Sequence, residues 1–121
     1  MKRDLDLCRR ILLWVEEQEH GFVGRSPEVE GVTDEEIGFH VHLLGEAGLL
    51  KTTDRTFLES RSPQAIPLYM TWAGYEFLAA AKDESLWSKA RAKVLKPAGG
   101  VAFDVLLEWL KSEAKSRLGI S

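Results

Sequence analysis

The segment TDEEIGFHVHLLGEAGLL, residues 33–50, constrains the fold more than any other part of the chain. Apolar residues recur along it at helical spacing, which predicts an amphipathic helix. The inward stripe consists of Ile37, Val41, Leu44 and Gly48. Thr33 and Glu36 have the T-x-x-E spacing of a capping box, whose side chains satisfy free backbone N–H groups at the helix start. Because Gly48 can adopt the left-handed conformation that ends a helix, we predict a helix that leads into an apolar strand from Leu49.

The flanking segments predict further helices and a β-hairpin. A first helix is expected from residue 2 to about residue 19, ended by His20 and Gly21. Residues 21–32 hold three glycines and a proline, which indicates a loop with a short strand near Phe22. The remaining predicted elements are strands 49–53 and 65–71 and helices 72–81, 83–96 and 101–118. Thr71 is the expected N-cap of the first of these helices, in which Gly74 allows close backbone approach.

A helix that leaves through a glycine into a β-hairpin is how winged-helix domains follow their recognition helix. The sequence therefore predicts an α+β, mainly α fold. It consists of a winged helix with a two- or three-stranded wing sheet over residues 1–81. A C-terminal helical extension over residues 82–121 is expected to pack on it as one compact unit. The loop at 21–32 departs from the repressor pattern, which places a complete helix there.

Composition narrows the class of protein. A chain of 121 residues with 45% hydrophobic and 29% charged residues is ordinary for one folded domain. No run of 18 apolar residues predicts a membrane span, and the charged N-terminus lacks the apolar core of a signal peptide. The single cysteine, Cys8, lies on the apolar side of the first helix, so we predict a buried inert thiol. A cytoplasmic location fits this cysteine usage.

The net charge of −3 conceals an asymmetry between the two halves of the chain. Residues 1–50 carry eleven acids against five bases, whereas residues 51–121 carry eleven bases against eight acids. Such asymmetry is typical either of a nucleic-acid surface or of a head-to-tail contact between copies. The acidic total weakens the nucleic-acid interpretation, because phosphate contacts supply most non-specific affinity.

Basic residues in the hairpin and on a downstream helix are the candidate nucleic-acid contacts. They are Lys51, Arg55 and Arg61 in the hairpin and Lys89, Lys93 and Lys96 in an i, i+4, i+7 stripe. A solvated hairpin tip and a solvated helix face are the alternative interpretations. Residues 33–50 contain no Arg, Lys, Asn or Gln to read bases, and their outward Glu35 and Glu46 would repel phosphates. Any DNA contact would therefore involve the backbone with little sequence readout.

Two surfaces are candidate protein interfaces. On the helix within 33–50, Phe39 and His42 point outward, and Gly38 and Gly45 form a flank that another backbone could approach. On the last helix, Val105 and Trp109 lie off the core stripe and need cover from the first helix or another subunit. These surfaces predict a homodimer or another protein partner. For Phe39, packing beneath the loop at 21–32 is the alternative.

The sequence offers little chemistry of the kind that enzymes use. His40 and His42, two residues apart on a helix, point about 200° apart and cannot share one metal ion as i, i+4 histidines can. His40 is expected to be a hydrogen-bonded structural residue and His42 to face solvent. Because there is no Cys-x-x-Cys, phosphate-binding loop or G-x-S-x-G, we predict no catalytic residues, no metal, no cofactor and no enzymatic activity.

Several segments in order carry a family resemblance: MKRDLDLCRRILLWVE, FHVHLLGEAGLL, YMTWAGYEFLAAAKDESLWSKAR and a final helix ending in LGIS. Together they resemble the uncharacterised bacterial and phage family known as domain of unknown function 2513. The resemblance implies a small winged-helix-like protein, often carried on phages or mobile elements, with no established activity and no catalytic residues. Tyr75 and Ala79 stand where the family pattern has a histidine and an aspartate, so any role of that pair would be lost.

The expected function combines these observations. We predict a small non-enzymatic regulatory or accessory protein, encoded by a phage or mobile element, that acts through protein–protein contacts and self-association. The alternative is a DNA-binding transcriptional regulator that contacts the DNA backbone through the hairpin and the lysine stripe.

Overall fold

The structure is a computed structural model that describes residues 1–95 and 102–119. Its elements are α1 (Leu5–Glu16), α2 (Asp34–Glu46), β1 (Leu50–Asp54), β2 (Ala65–Met70), α3 (Trp72–Ala81), α4 (Glu84–Ala90), a π-helical turn (Arg91–Leu95) and α5 (Phe103–Arg117). A mainly helical chain with one antiparallel hairpin confirms the predicted α+β, mainly α class. The winged-helix assignment stays a prediction.

The chain divides into two compact units. The first unit is Met1–Glu76 and the second is Phe77–Ser121. The division falls inside α3. The predicted domain boundary after residue 81 stays a prediction. The packing of the C-terminal segment on the first unit stays a prediction.

Helix α1 is shorter than the sequence indicates. Asp4, in an extended conformation, is the N-cap, and its carboxylate accepts hydrogen bonds from the N–H groups of Asp6 and Leu7. The helix ends at Glu16, before the predicted His20 and Gly21. The Gln18 side chain donates to the Trp14 carbonyl at 2.7 Å. This bond satisfies a carbonyl that the end of the helix leaves without an intrahelical partner.

Helix α2 has the predicted form. The Thr33 hydroxyl accepts a hydrogen bond from the Glu36 N–H at 3.2 Å and lies 3.3 Å from the Glu36 carboxylate. Gly48 has a φ of +79°, which costs little only for glycine, and it redirects the chain after the helix. The Leu49 N–H then bonds back to the Leu44 carbonyl at 3.0 Å. Capping at both ends follows from residues local in sequence, which explains why the prediction succeeded.

The hairpin is antiparallel and pairs Leu50 with Met70 and Asp54 with Ala65. Its register shifts after Lys51, so that Thr52 pairs with Pro67. Proline has no N–H to give to the ladder and is tolerated in strands at such irregularities. On the outer edge of β2, the N–H groups of Val23 and Gly24 donate to the Leu68 and Pro67 carbonyls, both at 2.9 Å. The loop at 21–32 thus adds a short third segment beside the two-stranded sheet.

The core of the first unit lies between α1, α2 and the hairpin. Its buried apolar side chains are Leu7, Cys8, Ile11, Leu12, Val15, Ile37, Val41, Leu44, Leu49, Leu50, Ala65 and Met70. Helix α2 contributes Ile37, Val41 and Leu44 of its predicted stripe, whereas Gly48 lies beyond the end of the helix and is exposed. Beside this core, the Arg25 guanidinium stacks over the Trp14 ring at 4.7 Å and donates to Gln18 at 2.7 Å. That contact fixes the loop against the end of α1.

The start of α3 is tied to the end of α2. The Thr71 hydroxyl accepts from the Gly74 N–H at 3.1 Å, which makes it the predicted N-cap, and donates to the Gly48 carbonyl at 2.6 Å. A Cβ at Gly74 would collide with the Leu49 carbonyl oxygen and lie 2.6 Å from Met70 Cγ. The predicted close backbone approach at Gly74 is confirmed, and its partner is the chain segment that enters β1.

The second unit has its own aromatic core. Phe77 and Trp87 meet edge to face with ring centroids 6.3 Å apart, and Phe103 lies 5.0 Å from Phe77. Asp83 caps α4 by accepting from the Leu86 N–H at 2.8 Å. The described part of the last helix begins at Phe103. Lys96, the break predicted between the helices 83–96 and 101–118, and the predicted start at Val101 lie outside the described residues.

Candidate interaction surface

His40 joins two helices through both of its ring nitrogens. Its Nε2 accepts from the Asp4 backbone N–H at 3.0 Å, and its Nδ1 lies 2.7 Å from the Glu36 carbonyl. The arrangement requires the neutral tautomer with the proton on Nδ1, since Nε2 must accept. The side chain is 1% exposed. Both ring nitrogens are hydrogen-bonded to backbone groups of the chain, which confirms the predicted structural role of His40.

Glu35 holds the hairpin loop against the first turn of α2. Its Oε1 accepts from the Arg61 backbone N–H at 2.7 Å and from the Ser62 hydroxyl at 3.1 Å. The Gln64 amide also donates to the Glu35 carbonyl at 2.8 Å. The carboxylate was predicted to face outward and repel phosphates. It is instead half-buried and binds the chain's own loop.

The glycine flank of α2 is covered from within the chain. A Cβ at Gly38 would collide with the Gln64 side-chain amide, and one at Gly45 would lie 2.6 Å from the Thr52 hydroxyl. The expectation that a partner's backbone approaches this flank is therefore wrong. The hairpin already makes the close approach, because β1 and the segment before β2 pack on that side of α2.

The outward face of α2 is only partly open. Phe39 and His42 are both half-buried, so neither is the fully exposed anchor that the helical projection suggested. His42 Nε2 lies 3.4 Å from Glu46 Oε1, one helical turn further on. This face therefore offers only the partly accessible side chains of Phe39 and His42, next to the exposed carboxylate of Glu46.

The hairpin cations reach solvent. Lys51, Arg55 and Arg61 are all exposed, and Lys51 pairs across the strands with Tyr69. Among the described residues, neither the Arg55 nor the Arg61 guanidinium makes a hydrogen bond or an ion pair. These two charges are available to a partner.

The lysine stripe is not continuous. Lys89 is half-buried and bonds to Glu113 of α5 at 2.8 Å, so it is not the free cation that the spacing suggested. The hydrogen bond from Lys89 lowers the pKa of the Glu113 carboxyl. Lys93 is exposed but lies in the π-helical turn, where side chains do not follow α-helical spacing.

The last helix offers one exposed apolar side chain of the predicted pair. Val105 is exposed, whereas Trp109 is half-buried. The buried side chains of this helix are Leu106 and Leu110. A second patch on α5 is therefore smaller than expected.

Cys8 is buried in the first unit at 3% exposure. Burial, reinforced by the charge of Asp4, raises the pKa of its thiol to about 12. The thiolate is the reactive form, so this cysteine is a poor nucleophile at neutral pH. The predicted inert thiol is confirmed.

The largest exposed apolar side chains were not singled out by sequence spacing. Phe22 (74% exposed) and Tyr69 meet edge to face with centroids 5.6 Å apart. Trp72 (81% exposed) and Tyr75 follow on α3, with the Trp72 indole donating to Glu76 at 2.8 Å. Phe57 (66% exposed) and a fully exposed Leu58 form the hairpin tip. Aromatic residues outside helical stripes were the signal that could have found them.

Neither a metal centre nor a membrane-spanning element emerges from the described ranges. Within residues 1–95 and 102–119, no three histidine, cysteine or acidic side chains lie close enough together to hold a metal ion. No helix in those same ranges is both long and apolar enough to cross a membrane.

The fold and surface define a small α+β protein with exposed aromatic side chains. The family described as "Hypothetical protein (DUF2513)" matches residues 2–101, and the chain belongs to this family. A Haemophilus influenzae protein named "Uncharacterized protein" is 29% identical over 107 residues, covering 88% of this chain and 89% of its own length. No solved structure gives a significant match. The family resemblance stated from the sequence is confirmed.

Proposed function

We propose that this chain is a non-enzymatic regulatory or accessory protein of the cytoplasm that acts through protein contacts, including association with a second copy. An origin on a phage or mobile element belongs to the same proposal. The observation that carries it is the set of large apolar side chains left in water on the first unit. They are Phe22, Phe57, Leu58, Tyr69, Trp72 and Tyr75.

Exposed aromatic groups on one small unit support contact with protein. Single exposed apolar residues are normal, but contiguous or paired ones are typical of interaction sites. Phe22 and Tyr69 form such a pair, and Trp72 and Tyr75 lie three residues apart on one helix face. Tryptophan and tyrosine are also enriched among residues whose truncation weakens interfaces most.

The covered face of α2 weighs against sequence-specific DNA reading. The position before a hairpin is where winged helices present their recognition helix. Here the hairpin loop binds Glu35 and the Gln64 side chain lies on Gly38, so part of that face is occupied. The remaining outward residues include acids, which do not suit a phosphate-lined groove.

DNA binding through the hairpin is the second candidate. It is favoured by the exposed guanidinium groups of Arg55 and Arg61, which have no partner within the described ranges. Such contacts would position the protein on DNA without reading bases. The lysine stripe adds less than expected, because Lys89 is engaged by Glu113.

One pair of measurements separates the two candidates. Fluorescence anisotropy would follow binding to a random-sequence DNA duplex at about 50 and 200 mM salt, and light scattering would give the mass in solution. We expect no DNA binding at either salt concentration and a mass above the 13.6 kDa of one chain. Tight binding that collapses with salt would favour the DNA candidate. A mass of one chain at every concentration would refute self-association.

A further inference from the structure

The hairpin tip is an apolar projection with cationic neighbours. Leu58 is fully exposed, Phe57 is 66% exposed, and the free guanidinium groups of Arg55 and Arg61 flank them in sequence. A leucine side chain left in water forgoes the favourable free energy of burial. Exposed apolar side chains grouped in this way are typical of interaction sites.

The tip is held in one conformation by its own hydrogen bonds. The Phe57 N–H donates to the Ser60 hydroxyl at 2.9 Å, and the Ser60 N–H donates to the Phe57 carbonyl at 3.1 Å. Thr56 bonds to Asp54 at 2.8 Å and accepts from the Gln64 N–H at 2.9 Å. Together with the Glu35 contacts, these bonds preorganise the tip, which lowers the entropy lost on binding.

A recess of complementary chemistry lies on the same unit. It has a volume of about 450 Å³, within the range of about 300–1,000 Å³ common for binding pockets. Its apolar walls include Val29, Val32 and Ile37. We call it the acidic recess, because Glu28, Glu30 and Asp34 complete its lining.

Two of the three carboxylates that line this recess are free to bind cations. Among the described residues, the Glu30 and Asp34 carboxylates make no hydrogen bond or ion pair, while Glu28 lies 3.9 Å from Arg25. The apolar walls match the apolar tip, and the carboxylates match the guanidinium groups beside it. Opposite potentials across an interface fix its register and suppress wrong partners.

The tip and the acidic recess are neighbours around the N-terminus of α2. Asp34 lines the recess and also a cleft of about 360 Å³ that Phe57 and Arg55 border. A two-fold symmetric interface requires each surface patch to contain both members of every contact. The patch around Asp34 meets that requirement, since it carries a projection and a recess side by side.

We infer that the hairpin tip of one copy inserts into the acidic recess of a second copy, and reciprocally, to form a two-fold symmetric dimer. Leu58 enters between the apolar walls, and Arg55 and Arg61 reach the carboxylates of Glu30 and Asp34. The inference rests on the proposed self-association and specifies where it occurs. The Phe22 and Trp72 surfaces stay free for another protein.

Leu58→Asp tests the apolar contact. Its side chain is fully exposed within one chain, so the substitution should leave folding unchanged by circular dichroism. Because it occurs twice in a symmetric dimer, the dimer dissociation constant should rise by at least about 100-fold in analytical ultracentrifugation. Leu118→Asp, at a similarly exposed leucine of the second unit, is the matched control and should leave the constant unchanged.

A charge exchange tests the pairing itself. Arg61→Glu alone and Glu30→Arg alone should each give monomers, because each places like charges opposite one another in both halves of the interface. The two changes combined in one chain, or the two single variants mixed, restore opposite charges and should restore the dimer. If each substitution weakened the dimer only through its own change of charge, and not because the two residues pair, the combination would not restore the dimer.

The outcomes separate the inference from the proposed function. If the unmodified protein is a monomer, self-association fails and the inference fails with it. If the unmodified protein is a dimer and Leu58→Asp is also a dimer of equal affinity, only the assigned interface is wrong. If Leu58→Asp keeps the dimer but loses binding to a DNA duplex, the tip contacts DNA and the inference is overturned.

Discussion

Gly74 provides a quantitative test of how α3 packs on the chain entering β1. Replacing it with alanine would add a Cβ that collides with the Leu49 carbonyl and lies 2.6 Å from Met70 Cγ. The carbonyl cannot move easily, because it accepts from the Thr71 N–H at 3.1 Å. The added methyl group must therefore shift backbone rather than a flexible side chain.

Two opposing effects set the magnitude for Gly74→Ala. Inserting a methyl group into a packed site costs about 1–3 kcal/mol, and contact with backbone places this site at the upper end. Alanine regains about 1 kcal/mol through its higher helix propensity. We expect a net loss of about 2 kcal/mol in the free energy of unfolding, and a melting temperature lower by roughly 6–10 °C.

Urea denaturation followed by circular dichroism would measure this loss. Gly21→Ala is the matched control, because nothing lies within 4 Å of its added Cβ and its φ is not in the left-handed region. The control should be neutral or stabilised by up to about 1 kcal/mol. The packing argument would be refuted if Gly74→Ala were as stable as the control.

Three further outcomes are expected. Glu35→Ala removes the acceptor of the Arg61 N–H and the Ser62 hydroxyl, so it should lower the free energy of unfolding by about 1 kcal/mol and speed tryptic cleavage after Arg61. Glu35→Gln keeps an oxygen acceptor, so its stability and its cleavage rate should lie between those of Glu35→Ala and the unmodified protein. Cys8 should resist iodoacetamide at pH 8 in the folded protein and react once unfolded. Burial raises the pKa of the thiol from 9.0 to about 12, so the unfolded state loses the thiol proton first as the pH rises. The free energy of unfolding should therefore fall by about 1.4 kcal/mol per pH unit above pH 9. Cys8→Ala should lack that part of the pH dependence. In Lys89→Met, an NMR titration should show the pKa of Glu113 rising from its lowered position; an unchanged titration would mean that Lys89 is not its cause.

Features set by neighbouring residues were predictable from the sequence. The Thr33 cap, the left-handed Gly48 and the Thr71 cap each depend on groups within a few positions of one another. The buried Ile37, Val41 and Leu44 of α2 follow from helical periodicity, which determines which side chains share a face. Even the close approach at Gly74 was indicated, since glycine within a helix implies contact with other atoms or a bend.

Features that depend on long-range contacts were not predictable. The helical projection placed Glu35 outward, but it could not show that the hairpin loop returns to bind it from 26 residues away. The same return covers Gly38 through Gln64. Lys89 looked free because its partner, Glu113, lies on another helix 24 residues on. Helical spacing defines a direction in space, whereas exposure depends on what the rest of the chain places there.

The hydrogen bond between Asp4 and His40 gives the first unit a built-in probe of its own opening. Amides at helix starts usually exchange with solvent rapidly, because they lack intrahelical acceptors. The Asp4 N–H precedes α1, yet its acceptor is a buried imidazole 36 residues away. Its deuterium exchange therefore reports separation of α1 from α2 rather than fraying of the helix end. A single resonance would follow the transient openings of this helix pair.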